Sequence, residues 1–190
     1  IKEMAKKGLI YHGNKVLWYC PRCGTELSQN EVAQGYQEDP VNTVIVPFKK
    51  ADEDAYFLVW TTTPWTLMAN VALCVNPDLE YVKVESMGYK FILCSSLVEK
   101  VLGEDVKVIE SYKGTDLLGM KYEQLLPFVK VTGKAFEVLT DNYVSADDGT
   151  GIVHIAPAYG ADDNRVCNEH GVAFVNPVGP DGCYTEGPWK

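Results

Sequence analysis

The chain has few of the side chains on which common hydrolases depend. It contains three histidines, His12, His154 and His170, among 190 residues. It carries neither a G-x-S-x-G nucleophile elbow nor an H-E-x-x-H zinc-binding helix. With so few histidines, no Ser–His–Asp triad can be identified. A hydrolase built on this chain would therefore position a water molecule instead of using a covalent nucleophile.

Positive charge is also scarce. Seventeen Lys and Arg face 26 Asp and Glu, for a net charge of −9, which argues against broad binding of a phosphate backbone but is compatible with one terminal nucleotide in a pocket. No apolar run approaches the 18 residues of a membrane span, and no signal peptide opens the chain. We therefore expect a cytoplasmic protein without a membrane partner. The start at Ile1 suggests a fragment of a longer protein.

Of the six cysteines, only Cys20 and Cys23 lie at motif spacing, in the sequence CPRCG. A structural zinc site takes four ligands, commonly two C-x-x-C pairs, so this pair is half of a zinc knuckle. The second pair is expected outside this chain. The other cysteines are predicted to be small buried apolar residues; they are Cys74, Cys94, Cys167 and Cys183.

The pattern of apolar residues predicts a mainly β fold. Residues 1–40 are interpreted as a small N-terminal segment that carries the half knuckle, and residues 41–190 as a closed or nearly closed β-barrel with short helices. The predicted strands are Val16–Tyr19, Val41–Phe48, Ala55–Thr61, Val71–Val75, Tyr81–Val84, Tyr89–Cys94, Val106–Ile109, Phe136–Leu139, Ile152–Ala156 and Val172–Val175. The predicted helices are Ser95–Leu102 and Asp162–His170, each followed by glycine.

Threonine and tryptophan are concentrated in the segment LVWTTTPWTLMAN, residues 58–70. Pro64 must end regular strand pairing, so the chain leaves a strand and presents four hydroxyls and two indoles within seven residues. They belong to Thr61, Thr62, Thr63, Thr66, Trp60 and Trp65. Such a cluster suits a nucleoside and a small polar group. The alternative is a threonine-rich edge strand with core tryptophans.

A second segment, DDGTGIVHIAPAYGADD, covers residues 147–163. Gly149 and Gly151 flank Thr150 and allow a close backbone approach, a strand then carries His154, and Asp162 and Asp163 fall at a helix start. One carboxylate could point into a pocket and pair with a cationic amine. The alternatives are an aspartate that merely caps the helix and a histidine that is packed in the core.

Together the two segments resemble the editing domain shared by the isoleucyl-, valyl- and leucyl-tRNA synthetases. Thr63-Pro64-Trp65 favours the isoleucyl enzymes, because the other two usually carry Arg-Pro inside the threonine motif. Residues 18–36, WYCPRCGTELSQNEVAQGY, resemble the segment that leads into this domain in isoleucyl enzymes. The resemblance covers nearly the whole chain. It implies a β-barrel inserted into a class I synthetase whose ATP site lies elsewhere.

The resemblance also implies a reaction, the hydrolysis of valine from the 3′ end of tRNA(Ile), with valyl-adenylate as a further candidate substrate. Isoleucyl-tRNA synthetase is itself the standard example of a second sieve that removes a smaller amino acid. By resemblance, Asp163 holds the α-ammonium, the three consecutive threonines bind the terminal adenosine and the ester, and Trp65, Thr66 and His154 line the side-chain pocket. The remaining candidate substrate-binding residues are Trp60, Gly149, Thr150 and Tyr159.

The editing reaction implied in this way needs no cofactor, and zinc could be held through Cys20 and Cys23 in the full-length protein. The implied partners are the 3′ end of tRNA(Ile) carrying valine and the rest of the synthetase. Two alternatives remain open at this stage. One is the editing domain of a related synthetase, and the other is a non-catalytic zinc-knuckle barrel that binds RNA or protein.

Overall fold

The computed structural model describes residues 1–189. In chain order the elements are α1 Lys2–Lys6, β1 Tyr19–Cys20, β2 Thr25–Glu26, α2 Gln29–Gln34, β3 Val44–Lys49, β4 Tyr56–Thr61, a 3₁₀ helix Pro64–Ala69, β5 Ala72–Val75, β6 Glu80–Ser86, β7 Tyr89–Cys94, a 3₁₀ turn Ser95–Leu97, α3 Val98–Leu102, β8 Lys107–Lys113, α4 Gly114–Leu117, β9 Glu137–Thr140, β10 Ile152–Ile155 and α5 Ala161–His170. The protein is therefore mainly β with short helices.

Eight of these strands form one mixed sheet in the order β8-β6-β7-β4-β10-β5-β9, with β3 paired to β4. β3 runs antiparallel along the whole of β4. The opposite edge of β4 is shared, because β7 pairs with it at Tyr56 and Phe57 and β10 pairs with it at Trp60. The sheet therefore divides beside β4, and the end of β4 that leads into the threonine segment lies next to β10.

The sheet curls into a half-barrel. Two isolated bridges, Lys50↔Tyr122 and Lys121↔Glu137, place residues 121–122 between the ends of β3 and β9. These are single residue pairs, so continuous strand pairing does not run around the whole ring. The expected mainly β, curled architecture is confirmed, whereas a fully closed barrel is not established.

The interior of the half-barrel is apolar. Fully buried side chains from β4, β5, β7 and β10 pack together there, with Phe57, Leu73, Ile92 and Ile152 among them. Burial of each such side chain is worth about 1.5–3 kcal/mol. This core holds the strand ends that carry the threonine segment and His154 in fixed relative positions. Within the described part of the chain, the helices are all too short or too polar to cross a lipid bilayer.

Two predicted strands are corrected, and one element that was not predicted is added. Val172–Val175 is not a strand, because the amide of Val172 donates to the carbonyl of Cys167 and closes the end of α5, and the amide of Ala173 donates to Lys134. The segment after Pro64 is a 3₁₀ helix with four buried residues. Near the N-terminus, the strand begins at Tyr19 and not at Val16. Local β-propensity is overridden here by contacts with distant parts of the chain.

Candidate functional site

A cavity of about 820 Å³ opens where β4 and β10 end. Its walls come from the threonine segment, from β10 and the start of α5, and from two terminal parts of the chain. The lining residues are Trp18, Trp60, Thr61, Thr62, Thr63, Trp65, Thr66, Val153, His154, Ala156, Tyr159, Gly160, Asp163, Val178, Gly182 and Tyr184. All five residues predicted to carry the chemistry, Asp163, Thr61, Thr62, Thr63 and His154, therefore lie around one cavity.

A chain of hydroxyls runs along the threonine wall. The amide of Thr63 donates to Oγ1 of Thr61 over 3.0 Å, and Oγ1 of Thr63 lies 3.2 Å from Oγ1 of Thr66. Thr66 Oγ1 donates to the carbonyl of Thr63 over 2.8 Å and lies 2.9 Å from Nε2 of His154. Because Pro64 starts the 3₁₀ helix, the chain turns back and these hydroxyls face the same side.

His154 is buried opposite this wall, and burial lowers its pKa to about 4. The imidazole is therefore neutral at physiological pH. Nε2 of His154 and Oγ1 of Thr66 share a hydrogen bond in which the tautomer of the histidine decides which atom is the donor. Within residues 1–189, Nδ1 of His154 has no hydrogen-bond partner. A neutral, buried ring held by one hydrogen bond can shape a pocket without adding charge.

Asp163 occupies the first turn of α5, the third residue of the helix. Its Oδ2 accepts a hydrogen bond from the amide of Ala156 over 2.8 Å, which ties the helix start to the end of β10. Gly160 caps the helix and lies directly against the carboxyl, since a Cβ at residue 160 would be 2.7 Å from Cγ of Asp163. Any larger residue at position 160 would displace the carboxylate. Neither aspartate caps the helix, so the capping interpretation is wrong.

The two adjacent aspartates have different environments. Asp162 is exposed and pairs with Arg165 over 3.3 Å. Asp163 faces the cavity, and no Lys, Arg or His among residues 1–189 forms a salt bridge with it. Removal from water raises the pKa of Asp163 to about 6, and the charge of Asp162 adds to this increase. At neutral pH the cavity thus contains a partly desolvated carboxylate that lacks a cationic partner within the described chain.

The aromatic candidates lie at the rim. Trp60 is half-buried, and the side chain of Trp65 is 60% exposed. Tyr159 donates from Oη to Oδ1 of Asn176 over 2.9 Å, and burial raises the pKa of its phenol to about 12. All three contribute flat apolar surface to the cavity. Trp65 therefore lies at the mouth of the cavity, whereas Thr66 and His154 lie deeper.

Gly149 and Thr150 are close to the cavity but do not line it. Gly149 packs under the indole of Trp60, where a Cβ would come within 2.8 Å of the ring. Thr150 is buried, and its hydroxyl donates to the carbonyl of Ile152 over 3.2 Å. Both residues support the Trp60 wall and the start of β10 from behind.

Comparison with known proteins shows which proteins this chain is similar to. No protein-family model matches the chain. The isoleucine–tRNA ligase of Clostridium tetani is 48% identical over 193 aligned positions, which cover 100% of this chain and 19% of the ligase. The enzyme of the same name from Picrophilus torridus is 47% identical over 192 positions, again 100% of this chain and 19% of the ligase. The chain is a homologue of the isoleucine–tRNA ligases. It spans about a fifth of the length of these relatives.

Solved structures with a similar fold are editing domains. GlLeuRS-CP1 superposes with a TM-score of 0.55 over 68% of this chain and 65% of its own, at 18% identity. The editing domain of P. knowlesi cytosolic leucyl-tRNA synthetase has a TM-score of 0.55 over 68% of this chain and 64% of its own, at 13% identity. At these identities the likeness concerns the fold alone. The chain thus has a fold similar to that of synthetase editing domains.

Four of the lining residues lie outside both sequence motifs and were not predicted. Trp18 comes from the N-terminal segment, and Val178, Gly182 and Tyr184 come from the loop after α5. Gly182 packs against Pro21, where a Cβ would be 3.1 Å from the proline Cβ, so the two terminal regions meet beside the cavity. No local pattern marks these residues, because each reaches the site through long-range packing. The aromatic pair Trp18-Tyr19 directly before CPRCG was the one available signal.

The cysteine pair Cys20 and Cys23 lies at the surface. The amide of Cys23 donates to Sγ of Cys20 over 3.4 Å, which lowers the pKa of the Cys20 thiol. In the part of the chain that the structure covers, no three His, Cys, Asp or Glu side chains come together as a metal site. The two thiols therefore fit only half of a tetrahedral zinc site. Cys74, Cys94 and Cys167 are buried as expected, but Cys183 is exposed.

Proposed function

We propose that this segment hydrolyses the ester that joins valine to the 3′ end of tRNA(Ile), as the editing domain of an isoleucine–tRNA ligase. The 48% identity to an isoleucine–tRNA ligase and the editing-domain fold support this proposal. The observation that carries it is the carboxylate of Asp163, which faces the cavity without a cationic partner among the described residues.

Asp163 is proposed to bind the α-ammonium of the misattached amino acid. A carboxylate that has lost water and lacks a counter-ion is unstable as a charge, which is why the pKa of Asp163 is raised to about 6. An incoming ammonium would supply the missing charge and form a charge-assisted hydrogen bond. The α-ammonium is common to all aminoacyl esters, so this contact selects an aminoacyl group and not a particular side chain.

The threonine wall is proposed to bind the adenosine and the ester. Thr61, Thr62 and Thr63 lie in sequence along the cavity, and hydroxyls can both donate to ester oxygens and accept from ribose hydroxyls. Trp60 and Trp65 offer flat faces for the adenine, since bases stack on aromatic side chains. These contacts would recognise a terminal nucleoside without requiring the clustered positive charge that this chain lacks.

The reaction is proposed to rely on an oriented water molecule. Water attacks the ester carbonyl, the bond to the ribose oxygen breaks, and that oxygen leaves as the tRNA hydroxyl with a proton from the water. Valine leaves as its carboxylic acid and ionises. His154 is neutral, with a pKa of about 4, and its Nε2 is held by Thr66, so we assign it to the pocket wall and not to proton transfer. Positioning by hydroxyls and the substrate ribose supplies the catalysis.

Thr66 and His154 are proposed to close the side-chain pocket at the length of valine. The two side chains lie 2.9 Å apart, and both are buried. A rigid wall excludes an additional methylene at a cost of about 1–3 kcal/mol. Valine would fit such a pocket, and isoleucine would collide with it.

A deacylation assay on the 190-residue chain tests the proposal. We expect release of valine from Val-tRNA(Ile), little release of isoleucine from Ile-tRNA(Ile), and slower release of threonine from Thr-tRNA(Val). Preference for Thr-tRNA(Val) would assign the chain to a related editing specificity. If none of the three esters is hydrolysed, the proposal is refuted, and the chain is a binding module without catalytic activity. We further propose that residues 41–190 form the catalytic unit and that residues 1–40 connect it to the remainder of the ligase.

A further inference from the structure

The loop after α5 crosses beside the cavity and is tied to both of its walls. This loop, residues 176–187, is closed on itself by the bridge Val178↔Tyr184 and by a 2.8 Å hydrogen bond from the amide of Gly179 to the carbonyl of Cys183. At its start, Asn176 accepts from Tyr159 over 2.9 Å. Further along, Oη of Tyr184 donates to the carbonyl of Trp65 over 2.5 Å.

The contact with Trp65 acts on one peptide group. The carbonyl of Trp65 and the amide of Thr66 belong to the same planar unit. The carbonyl accepts from Tyr184, and the amide donates to the carbonyl of Thr63 over 3.0 Å. Both polar ends of this peptide are therefore held, which fixes its orientation and hence the direction in which the Thr66 side chain leaves the backbone.

The rest of the 3₁₀ helix is anchored differently. Leu67, Met68 and Ala69 are buried in the interior, and a Cβ at Gly187 would come within 2.8 Å of Cε of Met68. The indole of Trp65 is 60% exposed and provides little anchoring. The N-terminal end of the helix, which carries Trp65 and Thr66, therefore depends strongly on hydrogen bonds, and two of these come from residues distant in sequence. His154 contacts the Thr66 hydroxyl, and Tyr184 donates to the carbonyl of Trp65. Of the two, the contact from Tyr184 holds the backbone.

We propose that Tyr184 is a positioning residue for amino-acid selection. It holds the Trp65–Thr66 peptide so that the Thr66 hydroxyl stays against His154 and the wall stays rigid. This inference rests on the proposed function and extends it, because it assigns a specificity role to a loop that lies outside both sequence motifs. The ring of Tyr184 also lines the cavity, so its hydroxyl and its ring must be tested separately.

The test replaces Tyr184 by Phe, which keeps the ring and removes the hydroxyl. The matched control is Tyr89→Phe, at an exposed tyrosine of β7 that contacts Tyr56 and Phe91. Amide hydrogen exchange on the full chain provides a measurement that does not depend on activity. We expect exchange at Thr66 to accelerate about threefold to tenfold in Tyr184→Phe, while β5 amides and the control are unchanged.

The second measurement is hydrolysis of Ile-tRNA(Ile) by Tyr184→Phe, Thr66→Ala and the double variant. If Tyr184 acts through Thr66, Tyr184→Phe raises hydrolysis of Ile-tRNA(Ile) about threefold to tenfold, and adds nothing once Thr66 is Ala. Additive effects in the double variant would overturn the inference, as would unchanged exchange at Thr66. A wild-type chain that hydrolyses no ester would refute the proposed function instead, and the exchange result would then decide the role of Tyr184 by itself.

Discussion

Asp162 and Asp163 are neighbours in the first turn of α5, but only one of them faces the cavity. Asp162 pairs with Arg165 at the surface over 3.3 Å, whereas Asp163 accepts from the amide of Ala156 over 2.8 Å and lines the pocket. The chain therefore provides a carboxylate for the proposed chemistry and, one residue away, a matched carboxylate outside it.

Asp163→Asn is expected to reduce hydrolysis of Val-tRNA(Ile) while preserving the fold. The amide oxygen of Asn can still accept from Ala156, but it carries no charge for the ammonium. A hydrogen bond to a charged group is worth about 1.5–3 kcal/mol, so kcat/KM should fall about tenfold to a hundredfold. Asp162→Asn is the control, and its kcat/KM should stay within about twofold because surface ion pairs contribute little. Equal losses in the two variants would contradict the assignment.

The raised pKa of Asp163 predicts the pH dependence of activity. Binding of an ammonium needs the carboxylate, so kcat/KM for Val-tRNA(Ile) should fall as the pH drops below about 6. The α-amino group of the substrate loses its proton near pH 8, so a second decline is expected at higher pH. We expect a bell-shaped pH profile of kcat/KM for the wild-type chain. The profile of Asp163→Asn should lack the acidic limb. An acidic limb that persists in Asp163→Asn would assign it to another group.

The same pKa also predicts the pH dependence of stability. In the unfolded chain this carboxyl titrates near its ordinary value of 3.8, and in the folded chain near 6. Between these values the folded state retains a proton that the unfolded state has lost, so the free energy of unfolding falls as the pH rises. Above about pH 6 the carboxyl is charged in both states, so the full cost of burying its charge lowers the free energy of unfolding. Asp163→Asn should therefore have a higher Tm than wild type at neutral pH, and the difference should vanish below about pH 4.

Zinc should bind this chain weakly. Cys20 and Cys23 provide two thiols, and among residues 1–189 no third ligand joins them, while a structural site uses four. A zinc titration followed by calorimetry should show no stoichiometric tight binding, and chelator should leave the Tm of the chain unchanged. Cys20→Ser should behave like Cys183→Ser, a change at an exposed cysteine outside the motif. Tight binding of one zinc that is lost only in Cys20→Ser would contradict this prediction.

Local patterns predicted the strands well where apolar runs end at clear turns. Tyr89–Cys94 has the predicted bounds, and the helix predicted to start at Asp162 starts one residue earlier, at Ala161. The predicted strand Val172–Val175 does not form, because the amide of Val172 donates to Cys167 of α5 and the amide of Ala173 donates to Lys134. The sequence could not reveal how far the sheet curls, since only single long-range bridges such as Lys121↔Glu137 connect the ends of β3 and β9.

The candidate site was predictable to the extent that its residues lie in two short motifs. Asp163, His154 and the threonines converge because β4 and β10 are neighbours in the sheet. Trp18 and Tyr184 were not predictable. Trp18 lies far before the threonine segment in the sequence, and Tyr184 reaches the cavity through a loop without regular structure. A family resemblance transfers the residues of its motifs, and residues that enter by tertiary packing must be found in the structure.

Thr66 is expected to control the selection of valine against isoleucine. Thr66→Ala removes the methyl and the hydroxyl from a side chain that lies 2.9 Å from His154. The change should open space for about one methylene, whose exclusion is worth about 1–3 kcal/mol. The variant should then hydrolyse correctly charged Ile-tRNA(Ile) about fivefold to a hundredfold faster than wild type, with activity on Val-tRNA(Ile) retained.

Thr66→Val separates the two possible causes of exclusion. Valine keeps the volume of the side chain and loses its hydrogen bonds to Thr63 and His154. If steric closure rejects isoleucine, Thr66→Val should still hydrolyse little Ile-tRNA(Ile), whereas Thr66→Ala should hydrolyse it. If the hydrogen bond to His154 holds the wall in place, both variants should hydrolyse Ile-tRNA(Ile), and His154→Ala should do the same. If no variant hydrolyses Ile-tRNA(Ile), the discriminating contact lies elsewhere, and Trp65, which lines the cavity at its mouth, becomes the residue to replace.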